Sequence, residues 1–258
     1  MTKNEKIEDK SNGECLSHPN GQPIRSGREL RRPAKKGTFF IAKGIFPDNT
    51  YGNLLSGLVT SFLIKQEHRL GWARKSACDD PVLLPHPCEV VAAHQWGVAW
   101  LVSTISKLEE FKKELPTFDC VKALDMAMLH DQAEIETGDI TPVDGISPEQ
   151  KHKLELSAMS ALCELYPKDV QNHMSRTYAT YEDRKCSESK FVKDCDKLDF
   201  IITAFLLERQ GFKSFEEFYP NSVTNGFSTE VATKIAETLI TTRNKLFESN
   251  QLYYNTQS

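Results

Sequence analysis

Leu129-His130-Asp131-Gln132-Ala133-Glu134, followed at once by Ile135-Glu136-Thr137-Gly138-Asp139-Ile140-Thr141-Pro142, is the stretch on which the fold and the chemistry of this chain turn. A histidine beside an aspartate supplies two kinds of metal ligand at adjacent positions. Glu134 follows His130 by four residues and Asp131 by three, so on one helix the three side chains occupy neighbouring faces near its end. Gly138 then stops the helix, and Asp139 falls on the following turn. Four groups able to bind a metal or move a proton are thus gathered in a short run.

Working outward, apolar residues recur at helical spacing on both sides of this run. Leu54, Leu55, Leu58, Val59, Phe62 and Leu63 mark a first helix from about Thr50. A second is expected from Glu89 to Leu108, with Val90, Val91, Trp96, Val98, Ala99 and Leu101 turned inward and Trp96 and Trp100 in the helix core. A third is expected from about Phe118 to Glu136 as one continuous element. Ser147-Pro148-Glu149 has the serine cap and first-turn proline of a helix start. Further helices are expected over Asn172 to Arg184, Ser187 to Gln210 and Ser228 to Leu252. No alternation lasts long enough to build a sheet, so the expected fold is all-α.

The bulk composition narrows the class. The chain has 258 residues, 39% hydrophobic and 26% charged, with a net charge of −4. Such a balance is ordinary for a globular protein and is not that of a nucleic-acid or anionic-membrane coat. No apolar run reaches the roughly 20 residues of a bilayer span, and the N-terminus lacks a secretory signal's apolar stretch. Seven scattered cysteines, none in a Cys-x-x-Cys pair, read as reduced thiols in an intracellular protein. Residues 1–37 are expected to form a disordered basic tail, because residues 1–36 carry nine Lys/Arg against five Asp/Glu and almost no apolar content. Residues 38–258 then form the folded domain. The cytoplasm is the expected location, and the tail's Arg28 to Lys36 cluster leaves a nuclear address open.

Two histidines and two carboxylates would neutralise a divalent cation and leave positions for water and substrate. The partners available to His130 and Asp131 are His94, in the middle of the second helix, and Asp194 or Asp196, in the long helix after Ser187. Each lies among apolar neighbours, where an unpaired ionisable group is costly.

These residues resemble the HD-domain phosphohydrolases, in particular their 5′-deoxynucleotidase branch. The resemblance covers about residues 50–220. It rests on Gly71-Trp72, the Glu89…His94 segment, Met128-Leu129-His130-Asp131-Gln132-Ala133-Glu134 with Gly138-Asp139-Ile140-Thr141-Pro142, Glu149-Gln150-Lys151-His152, and Lys190-Phe191-Val192-Lys193-Asp194-Cys195-Asp196-Lys197. It implies an HD-domain helical bundle with one divalent metal ion (manganese, cobalt, magnesium or similar) held by His94, His130, Asp131 and Asp196. It also implies that Glu134 activates or positions water, that Asp139 stands beside the substrate, and that Trp72 lines the sugar pocket. Gly71 stands where some bacterial members carry arginine, so Arg69 or Arg74 is the candidate for the charge facing the phosphate, with Arg74 assigned to substrate binding. The link Lys75 to Cys88 is long, and its Cys78, His86 and Cys88 have poor spacing for zinc.

The activity this implies is metal-dependent removal of the 5′-phosphate from deoxynucleoside monophosphates. The alternatives are a deoxynucleoside triphosphate triphosphohydrolase, which needs more cations around the pocket, and a catalytically silent scaffold, which has no use for the full ligand set plus Glu134. The expected partners are the deoxynucleotide and a second copy of the chain, with no membrane and no stable nucleic-acid partner.

Overall fold

The computed structural model describes residues 46–67, 69, 89–141, 144–209, 215–220 and 226–249. Among them the regular structure is helical apart from an isolated bridge at Val90. The tail over residues 1–37, Trp72, Arg74 and the Cys78/His86/Cys88 group lie outside the described residues.

Helix α1 (Thr50–Ser61) begins where the Asn49 side chain accepts the Gly52 amide and runs on into a 3₁₀ turn, Phe62–Gln66. Helix α2 (Val91–Ile105) and the short α3 (Glu109–Glu114) follow. Helix α4 (Cys120–Leu129) is capped by Asp119, and α5 is the short Glu134–Thr137. Helix α6 (Pro148–Cys163) opens on a full capping box. The Ser147 hydroxyl takes the Gln150 amide, the Gln150 side chain takes the Ser147 amide, and Pro148 needs no partner in the first turn. Helices α7 (Lys168–Asp183), α8 (Ser187–Arg209) and α9 (Glu230–Glu248) complete the bundle.

The long α8 packs against α2, α4, α7 and α9 and so forms the central post. Two apolar clusters flank the site. One gathers Val98, Val102, Met126, Phe191, Leu198 and Ile201; the other gathers Val91, Ala133, Met159, Leu162 and Tyr178. Helix α2 contributes to both, with Val91 in one and Val98 in the other, and His94 sits between them. The polar site therefore lies at the seam of two apolar clusters, where a lowered local dielectric strengthens electrostatic effects.

Two expectations are corrected. The third helix is not continuous: α4 ends at Leu129, and His130 to Ala133 form tighter turns before α5. The Gln132 amide donates to the Leu129 carbonyl, and the Glu134 amide to that of Asp131, each three residues back. In such winding, residues three apart eclipse, which puts Glu134 over Asp131 rather than along an α-helical face. Trp96 and Trp100 are not in the core. They are 65% and 57% exposed and stack on each other with centroids 5.9 Å apart. The face of α2 opposite to them is already filled by His94, Val98 and Val102. Val121 and Met128 of α4 are also exposed.

Candidate active site

His94 is fully buried in α2. Its Nδ1 lies 2.6 Å from Asp199 Oδ2. A carboxylate only accepts, so Nδ1 carries the proton and Nε2 faces the site. That Nε2 stands 3.2 Å from His130 Nε2, 3.2 Å from Asp196 Oδ1 and 3.4 Å from Asp131 Oδ2. His130 is set in the same way. Its Nδ1 donates to the Ala127 carbonyl at 2.8 Å, which points Nε2 inward, 3.3 Å from Asp131 Oδ2.

The turn bearing this pair is clamped from outside. Gln95 Nε2 donates to the Met128 carbonyl at 3.1 Å, and Gln132 Nε2 to that of Ser61 at 3.0 Å. Because both glutamines are buried, leaving either amide unmade would cost about 1–3 kcal/mol.

The donor set fits a divalent cation. Nitrogen and oxygen ligands about 2.0–2.2 Å from one ion stand roughly 3.0–3.5 Å apart when its bonds meet near 90–109°. The spacings fall in that window, and His94, His130 and Asp131 together could hold a metal ion. Asp196 is brought to the same nitrogen of His94, whereas Asp194 is not. Asp194 points away and accepts the Ser228 amide at 2.8 Å, the Thr229 amide at 2.9 Å and the Thr229 hydroxyl at 3.0 Å. It thereby ties α8 to the start of α9.

The electrostatics show how concentrated the charge is. Burial pushes the Glu134 carboxyl upward, and the neighbouring Asp131 and Asp139 push it well above the usual carboxylate range. Its Oε2 is buried with no hydrogen-bond partner among the described residues. Burial would also raise Asp131, but His130, then His94 and Arg69, hold it below the usual range. Asp196 is held well below by Lys193 and His94 against the same burial. Burial and Arg69 lower His94, yet its bonds to Asp196 and Asp199 push it up to about 9 in the metal-free pocket. A site whose negative field draws a proton onto a buried histidine is one that a divalent cation would satisfy.

Cations border the cluster on two sides. Arg69 Nη1 lies 3.3 Å from Asp131 Oδ2, and Lys193 Nζ lies 2.5 Å from Asp196 Oδ2. Gly138, at φ 70°, ends α5 in a conformation that favours glycine and leads into the buried Asp139. The Lys151 ammonium donates to the Ile140 carbonyl at 3.1 Å and pairs with Glu155 at 3.4 Å. It pins the Asp139–Ile140 segment from α6.

Sequence reasoning missed Asp199 and gave no role to Lys151 or to Tyr181, which meets the His130 ring edge-on at 5.7 Å with the Arg184 guanidinium 3.3 Å above its face. Asp199 could have been found, since it repeats Asp196 at helical spacing.

An all-α bundle that brings a histidine of α2 against the His130-Asp131 pair of the turn after α4, in a cluster that could hold a metal ion, defines the class. The HD domain family model matches residues 65–239, and the chain belongs to the HD-domain family. It is 31% identical over 187 residues to the 5′-deoxynucleotidase HDDC2 of Bos taurus, covering 72% of this chain and 83% of that protein. It is 28% identical over 195 residues to the 5′-deoxynucleotidase YGK1 of Saccharomyces cerevisiae, covering 72% and 81%. Among solved structures it is similar to the PH0347 protein of Pyrococcus horikoshii OT3, with a TM-score of 0.57 at 25% identity over 72% of this chain and 98% of that one.

Proposed function

We propose that this chain is a metal-dependent 5′-deoxynucleotidase that hydrolyses deoxynucleoside 5′-monophosphates to deoxynucleoside and phosphate. The observation that carries the reading is the convergence of His94, His130 and Asp131 ligand atoms at 3.2–3.4 Å, with Asp196 Oδ1 3.2 Å from the same His94 nitrogen, next to a buried glutamate whose Oε2 has no hydrogen-bond partner among the described residues. Relatives bearing the 5′-deoxynucleotidase name support the substrate class.

In this reading His94, His130, Asp131 and Asp196 hold the ion. A divalent ion at such a site supplies a water of lowered pKa and polarises a phosphoryl oxygen. Glu134, whose proton affinity is raised, takes the proton of the attacking water. The water's oxygen joins phosphorus as the bond to the sugar's 5′-oxygen breaks, and that oxygen takes up a proton, returned by Glu134 or supplied by solvent, as the deoxynucleoside leaves. Arg69 and Lys193, each already beside a ligand carboxylate, face the phosphate charge. Asp139 orients the nucleophile or the sugar, and Trp72 and Arg74 complete the substrate side.

The reading divides the chain into a tail, residues 1–37, and a catalytic domain, residues 38–258, supported by the family match to 65–239. It places the protein inside the cell, in keeping with free thiols at Cys120, Cys163, Cys186 and Cys195. Among the described residues no helix is long and apolar enough to cross a membrane. It takes the chain as a homodimer, in keeping with the exposed Trp96 and Trp100.

Chelator-stripped protein, reloaded in turn with manganese, cobalt and magnesium, is assayed for phosphate or triphosphate release from deoxy- and ribonucleoside mono- and triphosphates. Metal-restored phosphate release from deoxynucleoside monophosphates supports the reading. Triphosphate release alone would move the activity to the triphosphohydrolase class, and no turnover on any substrate would leave a scaffold.

A further inference from the structure

We infer that Asp199 is a positioning residue for the metal centre, acting through His94, and that Gly97 is the gap in α2 that admits it. The inference rests on the reading of His94 as a metal ligand. Asp196 and Asp199 lie three apart on α8 and share a face. The first meets His94 Nε2 at 3.2 Å and the second meets Nδ1 at 2.6 Å. One helix therefore grips both nitrogens of a ring carried by another.

The two contacts do different work. The Asp199 carboxylate has no proton to give, so it fixes the proton on Nδ1 and leaves the Nε2 lone pair directed at His130, Asp131 and Asp196. It also stops rotation of the ring in its plane. A ligand's outer partner of this kind commonly contributes 10–100-fold to metal affinity.

Gly97 is the matching half. It lies three residues after His94 on α2, where a Cβ would stand 2.0 Å from Asp199 Oδ1 and 3.0 Å from its Cγ. No side chain fits there unless the carboxylate moves. Glycine inside a helix costs about 1 kcal/mol relative to alanine, and no turn or positive φ explains it here. The packed carboxylate does: Asp199 is buried, and its approach to Nδ1 passes through the space that a larger residue at 97 would fill.

The test measures Mn²⁺ binding to chelator-stripped protein by calorimetry, with no substrate present. Wild type, His94→Ala, Asp199→Asn, Gly97→Ala and the Gly97→Ala/Asp199→Asn double variant are compared. Asp199→Asn keeps the size of the side chain but offers an amide that can donate to Nδ1 and move the proton to Nε2. It should bind about 10–100-fold more weakly, with the metal-free melting temperature and helix content little changed. Gly97→Ala should weaken binding in the same direction with the carboxylate still present, and the double variant should be no worse than the weaker single one, because both act on one contact. If Gly97→Ala does not fold, Asp199→Asn decides alone. Wild-type affinity in Asp199→Asn, with His94→Ala unable to bind, would overturn the positioning role while leaving the metal assignment standing. A wild-type chain that takes up no Mn²⁺ would overturn both.

Discussion

Asp194 and Asp196, two positions apart on α8, face opposite ways: Asp196 Oδ1 stands 3.2 Å from His94 Nε2, while Asp194 receives the amides of Ser228 and Thr229 at the head of α9. One carboxylate belongs to the site and the other to the scaffold, and their substitutions should fail differently. Asp196→Asn should lose bound metal in elemental analysis while keeping its melting temperature in the metal-free state. Asp194→Asn should keep the metal but lose about 1–3 kcal/mol of stability, since it weakens charge-assisted bonds to buried donors. Metal loss in Asp194→Asn alone would reverse the assignment.

His130→Ala and Asp131→Ala should each abolish metal content and phosphate release with nearly unchanged far-ultraviolet circular dichroism. Both sit in the turn between α4 and α5, so their removal deletes ligand atoms without cutting helix. Since a metal bound only by the folded chain stabilises it, chelation should lower the melting temperature of wild type but not of either variant.

Glu134→Gln should retain metal and bind nucleotide yet turn over about 10²–10⁴-fold more slowly, the usual contribution of general acid–base catalysis. The amide keeps the shape of the side chain but cannot accept a proton. Loss of metal would make Glu134 a ligand; near-normal turnover would pass its role to Asp139.

The buried pair Glu208–Arg243 joins α8 to α9 through contacts of 2.5 and 2.9 Å, and Tyr219 donates to the same carboxylate at 2.7 Å. Removing one partner strands a buried charge, so Arg243→Ala should cost about 3–5 kcal/mol in chemical denaturation. An Arg243→Met/Glu208→Leu double variant should recover most of it. Equal losses in the single and double variants would show that packing, not charge, is what Arg243 contributes.

The sequence by itself determined the all-α fold and several of its boundaries, because those depend on neighbours along the chain. The serine–proline start at Ser147–Pro148, the stop at Gly138 and the apolar periodicity of α8 are set by local sterics and by burial of one helical face. Residue type and spacing made His94, the His130-Asp131 pair and Asp194 or Asp196 candidates; the choice of Asp196 came from the family resemblance. What only the tertiary structure decided is how those side chains meet. The tight turns at His130 to Ala133 form because Gln95 and Gln132 clamp them against α2 and α1. Trp96 and Trp100 face outward because His94, Val98 and Val102 occupy the inner face of α2. The Asp199–Gly97 fit depends on the approach of two helices whose contacting residues are about a hundred positions apart in the chain. Periodicity reports that a face is buried; only the packing of one helix on another fixes which atoms it meets there.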